Sequence, residues 1–175
     1  MPEKIHIGNL EYFLDEKKVE GKQIKIKNEN FYKISNVNKM RPFFMSIVSN
    51  SNHWMFISST GSLSAGRKNS EFALFPYYTD DKITESSETT GSKTILIIKI
   101  NGKKYLWEPF SDKYSGIYNI SRNIYKNTIG NKVIFEEINH DLNIEFSYQW
   151  NSSNKFGFIK KSFIKNNSKE NVSIN

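Results

Sequence analysis

The densest group of reactive side chains lies in the string FEEINHDL, where Glu136, Glu137, His140 and Asp141 stand close together. Two carboxylates on one surface can serve as general acid and base. Successive residues on a strand point to opposite faces, so Glu136 and Glu137 cannot face one substrate unless a bulge intervenes. Asn139, His140 and Asp141 are the residue types of a hairpin turn, and the structural reading of the string is preferred. His6, His53 and His140 are far apart and lack metal-ligand spacing. Ser59, Ser62 and Ser64 surround Gly61 without the strand-to-helix setting of a nucleophile elbow. The chain has no cysteine, which removes disulfides, thiolate metal sites and cysteine nucleophiles together. No catalytic residue, metal or cofactor is assigned.

Recognition chemistry is better represented. Trp54, Trp107 and Trp150 carry flat apolar faces that match the faces of sugar rings, although each is equally suited to a sheet core. Trp150 belongs to the apolar row of its strand and is expected in the core. Trp107 stands at a strand end before Glu108-Pro109, where exposure is expected. The stretch from Gly61 to Asp81, GSLSAGRKNSEFALFPYYTDD, reads as an irregular segment mixing planar polar groups with aromatics. Those are the usual partners of sugar hydroxyls. The sugar-contact candidates are Arg67, Asn69, Tyr77, Tyr78, Asp80, Asp81 and Trp107. The competing reading is a well-hydrogen-bonded structural loop.

The elements that must carry these residues are strands. Leu142, Ile144, Phe146, Tyr148 and Trp150 are apolar, and the residues between them are polar. That period of two belongs to a long half-buried strand and to no helix. Further strands are expected over Gln23 to Lys27, Phe31 to Ile34, Phe43 to Val48 and Trp54 to Ile57. Thr94 to Ile100 is nearly all apolar, which predicts cover on both faces. Asn101-Gly102 predicts a type I′ hairpin turn leading into Lys103 to Trp107. Ile117 to Tyr125, Val133 to Ile138 and Phe156 to Ile164 complete the series, and Val172 with Ile174 starts one more strand. Near the N-terminus, Leu10, Phe13, Leu14 and Lys17 suggest one short helical turn. Strands at this spacing predict an all-β antiparallel sandwich in a single domain, 1–175, or the N-terminal part of one.

The 175 residues can bury a sizeable core, and the 14% aromatic content suits a sheet protein. A net charge of +7 raises the question of nucleic acid. The positive charges are mostly scattered lysines, which also protect sheet edges from pairing, so nucleic acid is disfavoured. The basic cluster Lys160, Lys161 and Lys165 falls on a predicted strand. No apolar run is long enough for a membrane helix, and MPEKIHIGNLEYFLDEKK lacks the pattern of a signal peptide. A cytoplasmic location is expected. Asn-x-Ser sequons at Asn119, Asn151, Asn166 and Asn171 then carry no glycosylation, and an Asn- and Ser-rich chain produces them by chance.

The order of several pieces resembles a known family. HWMFISSTGSLSAGRKN, ALFPYYTDD, ETTGS and LWEPFS are followed by FEEINHDLNIEFSYQW and FGFIKKSFIKNNS. Together they resemble the N-terminal β-sandwich domain of cellobiose and chitobiose phosphorylase-type glycoside phosphorylases (glycoside hydrolase family 94), also found in cyclic glucan synthase. The likeness spans most of Phe43 to Ser168 and is one of order. FPYYTDD and FIKNNS depart from the family's "TPWxxDP"-like and "LTN" forms. The resemblance implies a galactose-mutarotase-like supersandwich. It also implies that catalysis resides in a following (α/α)6 helical barrel and that the sandwich continues past Asn175. It transfers catalysis onto no residue of this chain.

Three functions are therefore weighed. The preferred one is a non-catalytic N-terminal sandwich portion of a carbohydrate-active protein, bordering a sugar-processing site. Its partners would be an oligosaccharide, a downstream helical-barrel catalytic domain, or a second copy in a homodimer. The second is a self-contained carbohydrate-binding module. The third is a basic interaction or nucleic-acid-binding protein.

Overall fold

A computed structural model describes residues 4–13, 17–74, 82–83 and 90–175. The described residues are built from antiparallel strands, as the sequence predicts. The largest sheet has six strands. They are β3 (Glu20–Ile26), β4 (Glu29–Ser35), β10 (Ile120–Asn127), β11 (Lys132–Asn139), β12 (Ile144–Ser153) and β13 (Gly157–Asn166), in the order β13-β12-β11-β10-β4-β3. Two three-stranded sheets accompany it. One is β5 (Phe44–Ile47), β6 (His53–Ser58) and β7 (Leu63–Arg67), and the other is β8 (Leu96–Ile100) between β9 (Lys103–Trp107) and β14 (Ser173–Ile174).

The alternation along Leu142 to Tyr148 is realised: Leu142, Ile144, Phe146 and Tyr148 are buried, and the residues between them are not. Strand β11 does the same with Val133, Phe135, Glu137 and Asn139 facing inward. This inner face shares one core with Met45, Ile47, Met55, Ile57, Leu63 and Ala65 of the first small sheet and Ile98 and Trp107 of the second. The two small sheets thus supply the apolar side chains that close the large sheet's inner face, as in a sandwich. Phe135 and Tyr148 are cross-strand partners whose rings stack at 4.9 Å. Trp150 is half-buried and packs against this core.

Local turn chemistry sets the register. Asn101 and Gly102 take φ of 48° and 81°, the paired positive values of the predicted I′ turn. The long β12–β13 hairpin runs in unbroken register from Ile144↔Asn166 to Ser153↔Gly157. The Val172–Ile174 alternation also forms a strand, with Ser173 and Ile174 opposite Lys99 and Ile98.

Four expectations fail. The N-terminal segment makes a hairpin, β1 (Lys4–Ile7) with β2 (Leu10–Phe13), in place of a helical turn; Leu14 lies outside the described residues. Gly8, at φ 62°, opens its two-residue loop in the left-handed region that such turns demand. Strand β8 is covered on one face only, since Ile98 is 0% exposed while Ile97 is 44% exposed. The strand has a neighbour at each edge, but its sheet packs on the core with a single side. The stretch from Gly61 is not irregular throughout, because Leu63 to Arg67 is strand β7 with four consecutive buried residues. Small side chains permit that: a Cβ on Gly66 would lie 2.6 Å from the Phe72 carbonyl oxygen and from the Trp54 ring. The fourth, Trp107, belongs to the site. No helix among the described residues is long and apolar enough to cross a membrane.

Candidate functional site

The chemistry of FEEINHDL divides between the two faces of β11. On the outer face, Glu136 Oε1 accepts from Asn123 Nδ2 at 2.6 Å and from the Tyr125 hydroxyl at 2.8 Å. Burial, together with that carboxylate, pushes the Tyr125 phenol far above its ordinary value. On the inner face Glu137 is 1% exposed. Its Oε1 accepts from the Trp107 indole at 2.9 Å, and its Oε2 accepts from the Phe110 backbone N–H and from Arg122 Nε, each at 2.7 Å. No bulge brings the two carboxylates together. Asn139 Oδ1 accepts from the Leu142 N–H, and residues 140–143 form the hairpin turn read from the sequence.

Glu137 organises the loop after β9. Arg122 stands directly across from it on β10. The guanidinium also donates to Asp112 Oδ1 at 2.6 Å and to the Ser111 carbonyl at 2.7 Å. Burial disfavours the Arg122 cation, but the Glu137 charge and the hydrogen bonds to Asp112 and Glu137 outweigh it and raise its pKa. Phe110 holds φ at 65°, costly for a bulky residue. Two contacts oppose that cost. Its N–H meets Glu137, and its ring sits edge-on to Tyr148 at 5.1 Å and to Phe135 at 6.2 Å.

Around this knot lie two cavities. The larger, about 350 Å³, is bordered by Lys17, Tyr114, Tyr118 and Asn119. The smaller, about 230 Å³, is bordered by Met40, Pro42, Thr60 and Phe110. Asn38, Asp112 and Arg122 line both. The Tyr118 hydroxyl donates to the Leu106 carbonyl at 2.8 Å, and burial, Tyr105 and Asp141 raise its pKa. Beyond Asn119, whose carbonyl accepts from the His140 N–H, His140 Nε2 lies 2.9 Å from the Ser121 hydroxyl. Burial and Lys17 lower the His140 pKa against the opposing pull of Asp141. Lys17 Nζ is committed to Asn119 Oδ1 at 2.7 Å and the Ile120 carbonyl at 3.0 Å.

Of the sequence candidates among the described residues, Trp107 lies at this place, lining the larger cavity, and Arg67 and Asn69 do not. Trp107 is 2% exposed and spends its N–H on Glu137, so the expected exposed stacking face is absent. A strand-end tryptophan turns inward here because a buried carboxylate waits for its indole. Arg67 is exposed and borders a separate, more open depression of about 470 Å³ with Lys68, Phe72 and Leu74. Asn69 accepts from the Glu71 N–H and caps the short 3-10 turn Ser70–Phe72. Tyr77, Tyr78, Asp80 and Asp81 lie outside the described residues. Asp112, Tyr114, Tyr118 and Arg122 went unselected. The signal was present in SDKYSGIYN, which mixes aromatics with Asp, Asn and Gly just as residues 61–81 do.

The basic cluster does not make one surface either. Lys160 and Lys161 are adjacent on β13 and point to opposite sides. Lys160 lies 4.8 Å from the centre of the Tyr148 ring and donates to the Ser92 hydroxyl, and burial lowers its pKa. Lys165 faces Glu145 at 4.0 Å. The chain matches no protein-family model, and no curated protein matches it.

Proposed function

We propose that this chain is the non-catalytic sandwich portion of a carbohydrate-active protein, resembling that of the glycoside phosphorylases and bordering a sugar-processing site. One observation carries the reading: pieces of the family-like pattern that are far apart in sequence meet around Phe110. From STGS come Thr60 and Gly61, from ETTGS Thr90 and Ser92, from LWEPFS Pro109 and Phe110, and from FSYQW Tyr148; all line one small cleft. Glu137 of FEEI bonds the Phe110 N–H. A Cβ on Gly91 would lie 2.5 Å from the Gly61 carbonyl oxygen, so the two glycine-bearing turns touch backbone to backbone. Coincidental similarities of composition have no reason to converge in space, whereas a shared structural centre does.

The antiparallel sandwich-like architecture supports the reading as well. So does the fate of Glu137, whose two oxygens are engaged by three donors of its own fold, which suits a structural carboxylate. The test is phosphorolysis. The native polypeptide carrying these residues is incubated with cello-, chito- and β-1,2-gluco-oligosaccharides and inorganic phosphate, and sugar 1-phosphate is measured. Release by that polypeptide, with none from residues 1–175 alone, is expected. Release by the 175-residue chain alone, or none from either, overturns the proposal.

A further inference from the structure

Resting on the carbohydrate reading, we infer that the groove crossing the Arg122–Asp112 pair binds a neutral oligosaccharide. The first ground is shape. Two cavities of about 350 and 230 Å³ adjoin through a common wall of Asn38, Asp112 and Arg122. The larger falls within the ~300–1,000 Å³ of small-molecule sites. Two neighbouring compartments that share lining residues suit a linear ligand of repeating units better than one compact molecule.

The second ground is charge. The larger cavity is lined by Lys17, Lys39 and Arg122 against Glu108, Asp112 and Glu137, three cations and three carboxylates. On a chain of net charge +7 this is a locally balanced place. A polyanion gains nothing there, and Asp112, 66% exposed at the shared wall, repels it. Neutral polyols both donate and accept hydrogen bonds and need both kinds of partner.

The third ground is that the polar groups are held in advance. Asp112 is fixed by Arg122, which is fixed in turn by Glu137 and the Ser111 carbonyl. Tyr118 is fixed through its hydroxyl and Asn119 through Lys17. Groups already ordered lose little freedom on binding, and that is where weak sugar contacts recover affinity. Tyr114 and Tyr118, both half-buried, add ring surface for the C–H faces of a sugar. This places the ligand away from Arg67 and Asn69.

The experiment is an amide NMR titration of the 175-residue chain with cellohexaose, chitohexaose and β-1,2-gluco-oligosaccharide, with inorganic phosphate and a short DNA duplex as controls. The expected result is saturable shifts at Asn38, Asp112, Tyr114 and Tyr118 with at least one glycan. Affinity should then fall about tenfold or more, equal to about 1.4 kcal/mol, in Tyr114→Ala. The unliganded spectrum of that variant shows whether it is folded, and Asn38→Ala supplies a second lining position if it is not. Glycan shifts confined to residues 67–74 overturn the groove and leave the carbohydrate reading standing. Saturable shifts at the groove with phosphate or DNA alone, or with nothing, overturn the groove, and phosphorolysis by the native polypeptide then decides the broader reading separately.

Discussion

Replacing Glu137 with Gln removes one charge and changes almost no volume, so its effect isolates the role of that carboxylate. In the native chain Oε1 serves Trp107, and Oε2 serves both Phe110 and Arg122. An amide offers one acceptor and one donor. With its oxygen kept toward Phe110 and Arg122, its NH2 confronts the Trp107 N–H; turned round, it abandons two donors. A buried donor left unsatisfied costs about 1–3 kcal/mol. Breaking a buried ion pair by removing one partner costs about 3–5 kcal/mol. The terms overlap, because Arg122 keeps Asp112 and the Ser111 carbonyl, so a total of about 3–4 kcal/mol is expected. At a urea dependence near 2 kcal/mol per molar, the unfolding midpoint falls by about 1.5–2 M. Near-UV circular dichroism of Trp107 should weaken before unfolding, since its indole loses its fixed partner. In Arg122→Gln the further cost of Glu137→Gln should drop by about 1 kcal/mol or more, because the two side chains interact directly. A midpoint shift worth less than about 1 kcal/mol in the Glu137→Gln protein would refute the assignment of this carboxylate as the organiser of the loop after β9.

The same packing sets two further outcomes. Gly91→Ala places a methyl 2.5 Å from the Gly61 carbonyl at a φ of 99°, so thermal melting should show a loss well above about 1 kcal/mol; an unchanged melting temperature would mean that the two turns do not touch. Burial raises the Tyr125 and Tyr148 phenols, so the folded state favours their neutral forms. Their contribution is complete below the ordinary tyrosine pKa of about 10 and is lost as pH climbs above it. Phenolate absorbance of the folded chain at alkaline pH should therefore fall short of all nine tyrosines, with the remainder appearing only on unfolding; smooth titration of all nine in the native state would contradict the packing.

The sheet was legible wherever a strand has one dry face and a turn has one obligatory chemistry. Leu142 to Tyr148 and Asn101-Gly102 are such places, because period-two burial and paired positive φ each leave few alternatives. Thr94 to Ile100 misled, since a nearly continuous apolar run does not say how many layers exist to cover it. Ile97 is exposed because the small sheet packs on one side only. The β1–β2 hairpin was missed because Leu10, Phe13 and Leu14 also fit helical spacing, while Gly8-Asn9 is a two-residue turn signal that the longer pattern obscured. Strand β7 was hidden by its own composition: Ser-Ala-Gly has low strand propensity, and its place is decided by the close approach of Trp54 and Phe72.

The candidate site was legible in part, since Trp107 stands out in the sequence and lines the larger cavity. Aromatic and planar polar residues were the signal sought, and two segments carry it, 61–81 and 108–119. Among the described residues, the second segment has an ion-paired partner distant in sequence. Arg122 and Glu137 lie on neighbouring strands and reach into the second segment, fixing Asp112 and Phe110. Arg67 and Asn69 in the first are tied by local turn bonding or face solvent. A loop becomes a site when side chains from the scaffold hold its polar groups still, and that support depends on β10–β11 pairing across the hairpin. Residue types within a segment cannot report it. A sequence does contain the hint, however: an arginine and an acidic residue facing inward at opposed positions of two predicted strands form a buried pair that must bond something else. Here it bonds Trp107, Ser111 and Asp112, and those bonds fix the wall shared by the two cavities.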